Sequence, residues 1–402
     1  MPKPIKEHHR GIANLLAFAL IPLSGFATDV YIPSLPAMAA DMQVSNIQVQ
    51  LTLTLFLISY GVTQLFIGSL LDSFGRYKIS LISLALFTVA SVVIANSHSI
   101  YVVYLMRVLH GVTVGGIVVS KRAYFIDLFT GEKLKHYLSL FSIIWSTGPI
   151  VAPFIGGYLQ TGFGWKSNFY FLALFAAVLG VLEYIFSGET LKNRSPFNLK
   201  AIGNNYVKML STTSFTLGIL MIGFAYSMVM IYNMTGPFII EHQLHLSPVI
   251  AGYSSLVLGF AWMIGGFIGK ATINRPFFKR LMINLALQIV FAVAMLASVG
   301  LIANLYSLIF FAFIIHVAAG FTFNNYFTYC LSRFSKNAGI ASGLTGGINY
   351  VVVSFLSYVI VAVLPAKDEY NLGYSYLVLI LASVLVMVIL KIRKETPDME
   401  QA

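Results

Sequence analysis

The sequence predicts an all-α membrane protein with twelve transmembrane helices in two six-helix halves. The first observation behind this prediction is composition: of 402 residues, 58% are hydrophobic and 10% are charged. Soluble proteins carry about 25% charged residues, because their surface must face water. A chain this apolar fits a lipid environment, where helices satisfy their own backbone hydrogen bonds.

The second observation is the spacing of the apolar runs. One span needs about 20 apolar residues. Twelve runs of roughly that length lie at about 12–35, 48–71, 78–97, 100–120, 136–160, 168–187, 212–236, 248–269, 281–303, 304–330, 338–364 and 372–391. The longest polar segment separates the sixth run from the seventh. We therefore predict an N-terminal half (1–187), a cytoplasmic linker (188–211) and a C-terminal half (212–402).

The third observation is the distribution of positive charge. With the N-terminus in the cytoplasm, 22 of the 25 lysines and arginines fall in inside segments. Only Lys166 and Lys367 fall outside, and Arg107 lies within a span. Cytoplasmic loops of membrane proteins carry this excess, so both termini are predicted to be cytoplasmic. The same distribution accounts for the net charge of +11, and no nucleic-acid partner is predicted.

Two charged residues stand out inside predicted spans, where a charge costs at least about 2.5 kcal/mol and usually faces a partner. Asp29 in span 1 and Arg107 in span 4 are predicted at similar depth. Asp29 is a candidate proton carrier; the alternatives are a static ion pair or a cap on a helix break before Pro33. His110 lies one turn beyond Arg107, and is either part of a proton relay or a hydrogen-bonded core histidine. Glu183, near the inner end of span 6, is expected to reach out to the interface.

A short segment between spans 2 and 3 combines charge with glycine. It contains Gly68, Asp72, Gly75 and Arg76. Gly68 permits close helix approach, and the two charged residues flank a tight turn at Gly75. The segment is either a charge latch that closes the cytoplasmic side or a plain turn.

Glycine and proline are concentrated in span 5, at Gly148, Pro149, Pro153, Gly156 and Gly157. In a membrane helix these residues permit bending and close packing. On composition alone, the segment is a flexible helix.

These segments resemble motifs of the major facilitator superfamily. The loop resembles G-x-L-x-D-R-x-G-R-K, with departures at Ser73 and Tyr77. Arg107-Val-Leu-His110-Gly111 resembles R-x-x-Q-G, a motif associated with proton transfer, with histidine replacing glutamine. Span 5 resembles the antiporter motif G-x-x-x-G-P-x-x-G-G, with Ala replacing the second glycine, and this motif is typical of exporters.

A further stretch, Asp29-Val-Tyr31-Ile-Pro33-Ser-Leu-Pro36, is similar to D-x-Y-L-P-A-L-P in the Bcr/CflA drug-efflux branch of that superfamily. The resemblance covers most of residues 15–260. It implies a fold in which spans 1, 4, 7 and 10 line a central cavity. Candidate substrate-binding residues on or near these spans are aromatic residues and amides: Tyr31, Tyr232, Asn233, Phe238, Asn324, Asn325, Tyr326 and Asn349. The alternative for these side chains is contact with lipid or the aromatic belts.

The resemblance implies a proton-coupled exporter of small amphipathic molecules in the bacterial inner membrane. The alternative is a transporter dedicated to one metabolite such as a siderophore, and possibly an importer. An enzyme is disfavoured, because the sequence has no clustered catalytic groups and no metal motif such as H-E-x-x-H. The expected partners are a small-molecule substrate, protons and membrane lipids. No cofactor is predicted, and the protein is expected to be a monomer.

Overall fold

Twelve long apolar helices dominate a computed structural model of the protein, which describes residues 5–191, 193–194, 199–334 and 338–393. Spans 1 to 6 are Glu7–Asp41, Asn46–Phe74, Arg76–Asn96, Ile100–Leu128, Gly131–Phe163 and Lys166–Phe186. Spans 7 to 12 are Thr213–Gln243, Pro248–Ala271, Phe277–Val299, Leu305–Arg333, Ile340–Val363 and Glu369–Ile392. The predicted all-α fold with twelve spans is confirmed.

Several helices are longer than the apolar runs that predicted them. Span 4 continues to Leu128, and span 5 already begins at Gly131. Polar residues continue the backbone hydrogen bonds of a helix after the apolar run has ended, so hydropathy finds the membrane-facing part and misses the rest.

Span 1 is a series of short helical segments. Its parts are Arg10–Leu20, Leu23–Asp29, a 3₁₀ turn at Ile32–Ser34, and Leu35–Asp41. Prolines explain the interruptions, because proline has no N–H to donate and clashes with the preceding turn. Pro22 precedes the second segment, and Pro33 and Pro36 start the later ones. A broken helix leaves carbonyl groups available for other partners.

The chain forms two compact units, Met1–Ile202 and Gly203–Ala402. In the first unit, span 4 packs on spans 2 and 3, span 3 also packs on span 6, and span 5 packs on span 1. In the second unit, span 10 packs on spans 7 and 8, while span 12 packs on spans 7 and 9. Each unit thus contains six spans. An additional helix, Leu199–Leu210, lies in the segment predicted as a polar linker.

The tightest helix crossings depend on glycine. A side chain at Gly111 in span 4 would collide with Ser59 and Phe56 of span 2. A side chain at Gly320 in span 10 would collide with the backbone of Trp262 in span 8. Small residues let membrane helices approach closely enough to gain dispersion energy.

Candidate proton-coupling and gating sites

Asp29 is the last residue of the Leu23–Asp29 segment of span 1, immediately before the second break. The residue is 1% exposed. The break is held from span 6, where the Asn168 side-chain amide donates to Ser34 Oγ at 2.7 Å. The carboxylate that the sequence singled out is therefore buried at a fixed discontinuity of the helix.

Arg107 reaches across from span 4 and binds two backbone carbonyl groups. Its Nη1 donates to Ala27 O in span 1 at 2.8 Å, and its Nε donates to Thr52 O in span 2 at 3.3 Å. Ala27 lies in the last turn of its segment, where carbonyl groups lack partners within the helix and the helix dipole favours a cation. Arg107 thus ties span 4 to the break in span 1.

Two aromatic rings enclose the Arg107 guanidinium. Its central carbon lies 4.4 Å from the Phe56 ring centre and 4.7 Å from that of Tyr31. The Tyr31 hydroxyl lies 2.8 Å from Thr52 Oγ1, which itself donates to Val49 O. Cation–π contacts are strongest when water is excluded, and Arg107 is 0% exposed. Its Nη2 has no hydrogen-bond partner among the described residues.

His110 completes this cluster on the face of span 4 that carries Arg107. Its Nδ1 lies 3.4 Å from Arg107 Nη1, and its Nε2 lies 3.0 Å from Ser91 Oγ in span 3. Arginine can only donate, so Nδ1 must accept and Nε2 carries the proton. Ser91 Oγ accepts the hydrogen bond from Nε2, and its own hydroxyl donates to Phe87 O at 2.9 Å. This pattern holds the imidazole neutral and orients Arg107.

The structure therefore brings the three predicted proton-coupling residues together. Asp29 lies within electrostatic range of Arg107, which touches His110. The sequence did not indicate Thr52, Phe56 or Ser91 as parts of this cluster. Their signal is weak, because a threonine, a phenylalanine and a serine are ordinary residues in apolar helices.

The glycines of span 5 lie directly against the broken span 1. A side chain at Gly148 would meet Pro22 O at 2.8 Å and Gly25 Cα at 3.1 Å. A side chain at Gly156 would collide with the carbonyl oxygen of Val30, the residue that follows Asp29. Gly157 and Pro153 are also buried, and Pro149 contacts Gly25. The motif thus forms the surface against which the Asp29 segment rests.

The charged loop between spans 2 and 3 forms an ion-pair network. Arg76 Nη2 lies 2.7 Å from Asp72 Oδ1, and Arg76 Nε lies 3.0 Å from Asp127 Oδ2 at the end of span 4. Thr190 Oγ1 donates to Asp127 at 2.8 Å. One arginine therefore joins the ends of spans 2, 3 and 4.

Glu189, which the sequence did not indicate, caps the start of span 3. Its carboxylate accepts the backbone N–H groups of Arg76 at 3.1 Å and Tyr77 at 3.3 Å. Carboxylates stabilise a helix N-terminus by satisfying free N–H groups and opposing the dipole. Gly75 has φ +100°, and a Cβ there would collide with this carboxylate. The glycine is thus required by its backbone conformation, and a side chain there would also displace the Glu189 carboxylate.

Gly68 does not have the predicted packing role. A Cβ at this position meets no atom within 4 Å. Span 2 makes its close approach to span 4 at other residues, so close helix packing does not account for this glycine.

Glu183 and Lys121 correct a second expectation. Glu183 is 1% exposed and does not reach the interface; it forms a buried ion pair with Lys121 of span 4 and accepts from Ser187 Oγ at 2.9 Å. Lys121 is 4% exposed, although the charge count placed it in an inside segment. A charge that looks interfacial from its position along one helix is buried here because its partner lies on another helix.

The predicted substrate-binding residues occupy different environments. Seven are buried in helix packing: Tyr31, Tyr232, Asn233, Phe238, Asn325, Tyr326 and Asn349. Asn324 is exposed, and its amide donates to Gly320 O at 2.9 Å. Asn325 donates to Phe321 O at 2.7 Å, whereas Asn349 Oδ1 has no partner among the described residues.

A cluster of aromatic rings from spans 7, 8, 10 and 11 lies in the second unit. The Tyr226 ring centre lies 5.8 Å from that of Trp262 and 6.0 Å from those of Phe323 and Tyr350. The Trp262 and Phe323 ring centres are 5.0 Å apart. Three of the four rings are only partly buried, so the cluster presents an aromatic surface.

Twelve spans in two six-span units, with buried charge at a broken helix, define the class of secondary membrane transporters. The family model described as "Major Facilitator Superfamily" matches residues 17–358. The chain belongs to this superfamily, which is a family of transporters and not of enzymes.

Curated relatives agree at modest identity. An uncharacterised MFS-type transporter, YdgK, of Bacillus subtilis is 29% identical over 88% of this chain and 89% of its own. Multidrug resistance protein MdtL of Shewanella oneidensis is 25% identical over 83% of this chain and 84% of its own. A bicyclomycin resistance protein homolog of Haemophilus influenzae is 34% identical over 46% of this chain and 47% of its own. These names are consistent with the drug-efflux branch.

Solved structures show the same fold. A D-xylose–proton symporter has a TM-score of 0.69 at 15% identity, covering 93% of this chain and 95% of its own. The nucleoside transporter NupG has a TM-score of 0.71 at 13% identity, covering 94% and 97%. At these identities the likeness concerns architecture alone.

Proposed function

We propose that the protein is a proton-coupled exporter of small amphipathic molecules. The observation that carries this proposal is the placement of Asp29: a buried carboxylate at a helix break, within electrostatic range of Arg107. Ionisable groups at membrane depth are costly and usually mark ion pathways or proton relays. Two carbonyl groups anchor Arg107 near the carboxylate. The electrostatic attraction between Arg107 and Asp29 changes when the helices move relative to each other.

In the proposed cycle, Asp29 takes a proton from the outside and releases it to the cytoplasm as substrate moves outward. Protonation removes the attraction between the carboxylate and Arg107. The attraction acts on the Leu23–Asp29 segment, which Arg107 also holds through Ala27 O. Span 1 then moves against the glycine surface of span 5, and this movement links proton binding to alternating access.

His110 is assigned a positioning role in this cycle. Its accepting Nδ1 and donating Nε2 fix the Arg107 guanidinium. Gly111 lets span 4 approach span 2 closely enough for Arg107 to reach Thr52 O.

The aromatic surface formed by Tyr226, Trp262, Phe323 and Tyr350 supports an amphipathic substrate. Aromatic faces bind apolar and cationic groups without a fixed hydrogen-bond pattern. Relatives named for bicyclomycin resistance and multidrug resistance point to the same substrate class. We therefore assign antibiotic-like and dye-like compounds as substrates, and exposed Asn324 as a polar contact.

The test uses inverted membrane vesicles that pump protons inward and contain a fluorescent pH indicator. Addition of bicyclomycin or a lipophilic cationic dye should release protons from wild-type vesicles. Asp29→Asn should abolish the response, because an amide carries no exchangeable acid proton at this pH. Asp41→Asn is the matched control: it removes a carboxylate from the same span at a side chain that is 51% exposed.

Equal proton release from Asp29→Asn and wild-type vesicles would refute the coupling role of Asp29. A response to a single metabolite and to none of the antibiotics or dyes would refute the multidrug assignment and leave the coupling intact. Proton uptake on addition of substrate would refute export.

A further inference from the structure

The starts of span 3 and span 9 occupy equivalent positions in the two six-span units, and each carries an arginine in its first turns. In the first unit, Arg76 pairs with Asp72 and Asp127, and Glu189 caps the helix. Three carboxylates therefore bind the arginine or the backbone N–H groups at this helix start. The equivalent site in the second unit has the cation and, within the described ranges, lacks the acids.

Arg280, in span 9, is 8% exposed. Its Nη1 donates to Gly269 O at 3.2 Å and contacts Thr272 Oγ1 at 3.4 Å, both at the end of span 8. Phe277 and Phe321 flank the guanidinium, with ring centres 5.5 and 5.8 Å from its central carbon. The side chain is thus held in place by its Nη1 group and two rings.

The other edge of Arg280 has no partner in the part of the chain that the structure describes. Neither Nε nor Nη2 has a hydrogen-bond acceptor among the described residues. These two N–H groups form a planar fork that matches two oxygens of a carboxylate or phosphate. Leaving such donors buried and unpaired costs more than an ordinary missing hydrogen bond.

The surrounding charge has the same sign. The first turn of span 9 contains no acidic residue, and its N-cap, Pro276, has no side chain that can accept a hydrogen bond. Lys279 is exposed next to Arg280, and Lys391 Nζ lies 6.0 Å from the Phe278 ring centre. Cations at a helix N-terminus oppose its dipole. Free N–H groups and a positive dipole end together attract anions.

The acidic residues that the structure describes in the second unit do not offset this charge. Among described residues they are Glu241, at the end of span 7, and Asp368 and Glu369, at the start of span 12. Successive spans alternate in direction, so these acids lie at the opposite membrane face from the start of span 9. No described acid of the second unit therefore lies at the face of Arg280, so none of these residues balances its charge.

We propose that the Nε–Nη2 edge of Arg280 and the start of span 9 bind a phosphate oxyanion, supplied by an anionic phospholipid. The loop from Ile273 to Pro276 is exposed, so the site lies at the membrane surface. The aliphatic part of an arginine side chain packs along apolar residues while its guanidinium lies near the level of the lipid headgroups. Basic pockets at the ends of transmembrane helices bind such headgroups.

The experiment uses delipidated full-length protein in detergent. Phosphatidylglycerol, phosphatidylcholine or inorganic phosphate is added, and bound adducts are counted by native mass spectrometry alongside the melting temperature. Wild type should bind phosphatidylglycerol saturably and in preference to phosphatidylcholine. Arg280→Gln should weaken this binding about tenfold, the effect of losing a charged hydrogen-bond donor pair.

Two variants separate the fork from charge and folding. Lys279→Gln removes the same charge from the adjacent exposed residue and should change affinity by less than about twofold, as expected for an exposed charge. Arg280→Lys keeps the cation between its rings and loses the planar fork, so it should fold and still bind phosphatidylglycerol less tightly than wild type.

Stabilisation by inorganic phosphate in wild type and not in Arg280→Gln would support the oxyanion site and assign a soluble source. Equal binding by wild type, Arg280→Gln and Arg280→Lys would overturn the proposal. Equal losses in Arg280→Gln and Lys279→Gln would also overturn it, because they would show diffuse attraction instead of a built site.

Discussion

His110 occupies the position where the motif of the superfamily has glutamine. The structure shows that the two side chains offer the same hydrogen-bonding groups at this position. The imidazole accepts from Arg107 and donates to Ser91. A glutamine amide offers the same pair of functions, a carbonyl oxygen that accepts and an amide that donates. The substitution therefore preserves the hydrogen-bond pattern and does not require histidine to carry a proton.

His110→Gln should keep transport within about threefold of wild type and leave its pH profile unchanged, because both hydrogen bonds are retained. His110→Leu should lower transport at least about tenfold, because Arg107 loses one of its three acceptors. Substrate efflux measured across pH 6 to 8 in both variants provides the check. A pH profile that shifts in His110→Gln would show instead that the imidazole itself titrates during transport.

The Lys121–Glu183 pair is buried on both sides, with side chains 4% and 2% exposed. Glu183→Gln should destabilise the protein by about 3–5 kcal/mol, because it leaves Lys121 charged and unpaired. Asp41→Asn is the control, since it breaks the surface pair with Lys166 and should cost less than about 1 kcal/mol. Thermal unfolding in detergent measures both, and equal effects would contradict a buried pair.

At the scale of elements, the contact between spans 1 and 5 decides where Asp29 lies. Gly156→Ala places a methyl group on Val30 O, so span 1 must shift next to the carboxylate. Gly162 lies in the same helix, and a Cβ there meets nothing within 4 Å. The two glycines therefore differ in packing and share their helical context.

Gly156→Ala should abolish proton-coupled transport, whereas Gly162→Ala should leave it unchanged. In an unobstructed helix, alanine is favoured over glycine by about 1 kcal/mol, so Gly162→Ala should also melt at the wild-type temperature or slightly above it. Vesicle transport and thermal unfolding test the pair. Full transport by Gly156→Ala would show that the span 1–5 contact does not position Asp29.

The start of span 3 provides a second comparison between glycines. Gly75 and Gly131 both have positive φ, at +100° and +59°, but a Cβ at Gly131 meets no atom within 4 Å. Gly131→Ala should cost about 1 kcal/mol from backbone strain alone. Gly75→Ala should cost at least about 1 kcal/mol more, because it also displaces the Glu189 cap.

Thermal unfolding of the two variants measures this difference. If Glu189→Ala lowers the melting temperature of wild type and has a smaller effect in Gly75→Ala, the glycine and the cap act together. Identical effects of Glu189→Ala in both backgrounds would show that the cap does not depend on Gly75.

At the scale of the whole molecule, hydropathy and loop charge predicted the fold because both arise from the membrane itself. Apolar length determines each span, whatever it packs against. Asp29 and Arg107 were found for the same reason, since a charge inside a span is visible in the sequence. The membrane does not determine which helices pair. The partner of Glu183 is Lys121, 62 positions away in the sequence and on another helix, so the sequence alone placed Glu183 at the interface. Glu189 was missed because the sequence alone does not show that this linker carboxylate lies at the N-terminus of span 3.

The orientation of the whole chain decides at which membrane face the Arg76 network and the proposed Arg280 site lie. Lys78 and Lys279 belong to the segments predicted to be cytoplasmic, and Lys367 to a segment predicted to be outside; all three are exposed. Cys330 is the single cysteine and is 0% exposed. Cys330→Ser therefore gives a cysteine-free background in which all labelling comes from the one cysteine that is introduced. A membrane-impermeant maleimide should label Lys367→Cys in intact cells, and Lys78→Cys and Lys279→Cys only after the membrane is opened. Labelling in the reverse pattern would place the Arg76 network and the proposed Arg280 site outside. An inward proton gradient drives an exchanged substrate outward in either orientation, so this measurement tests the topology and the location of both sites, and the vesicle assay tests the direction of transport.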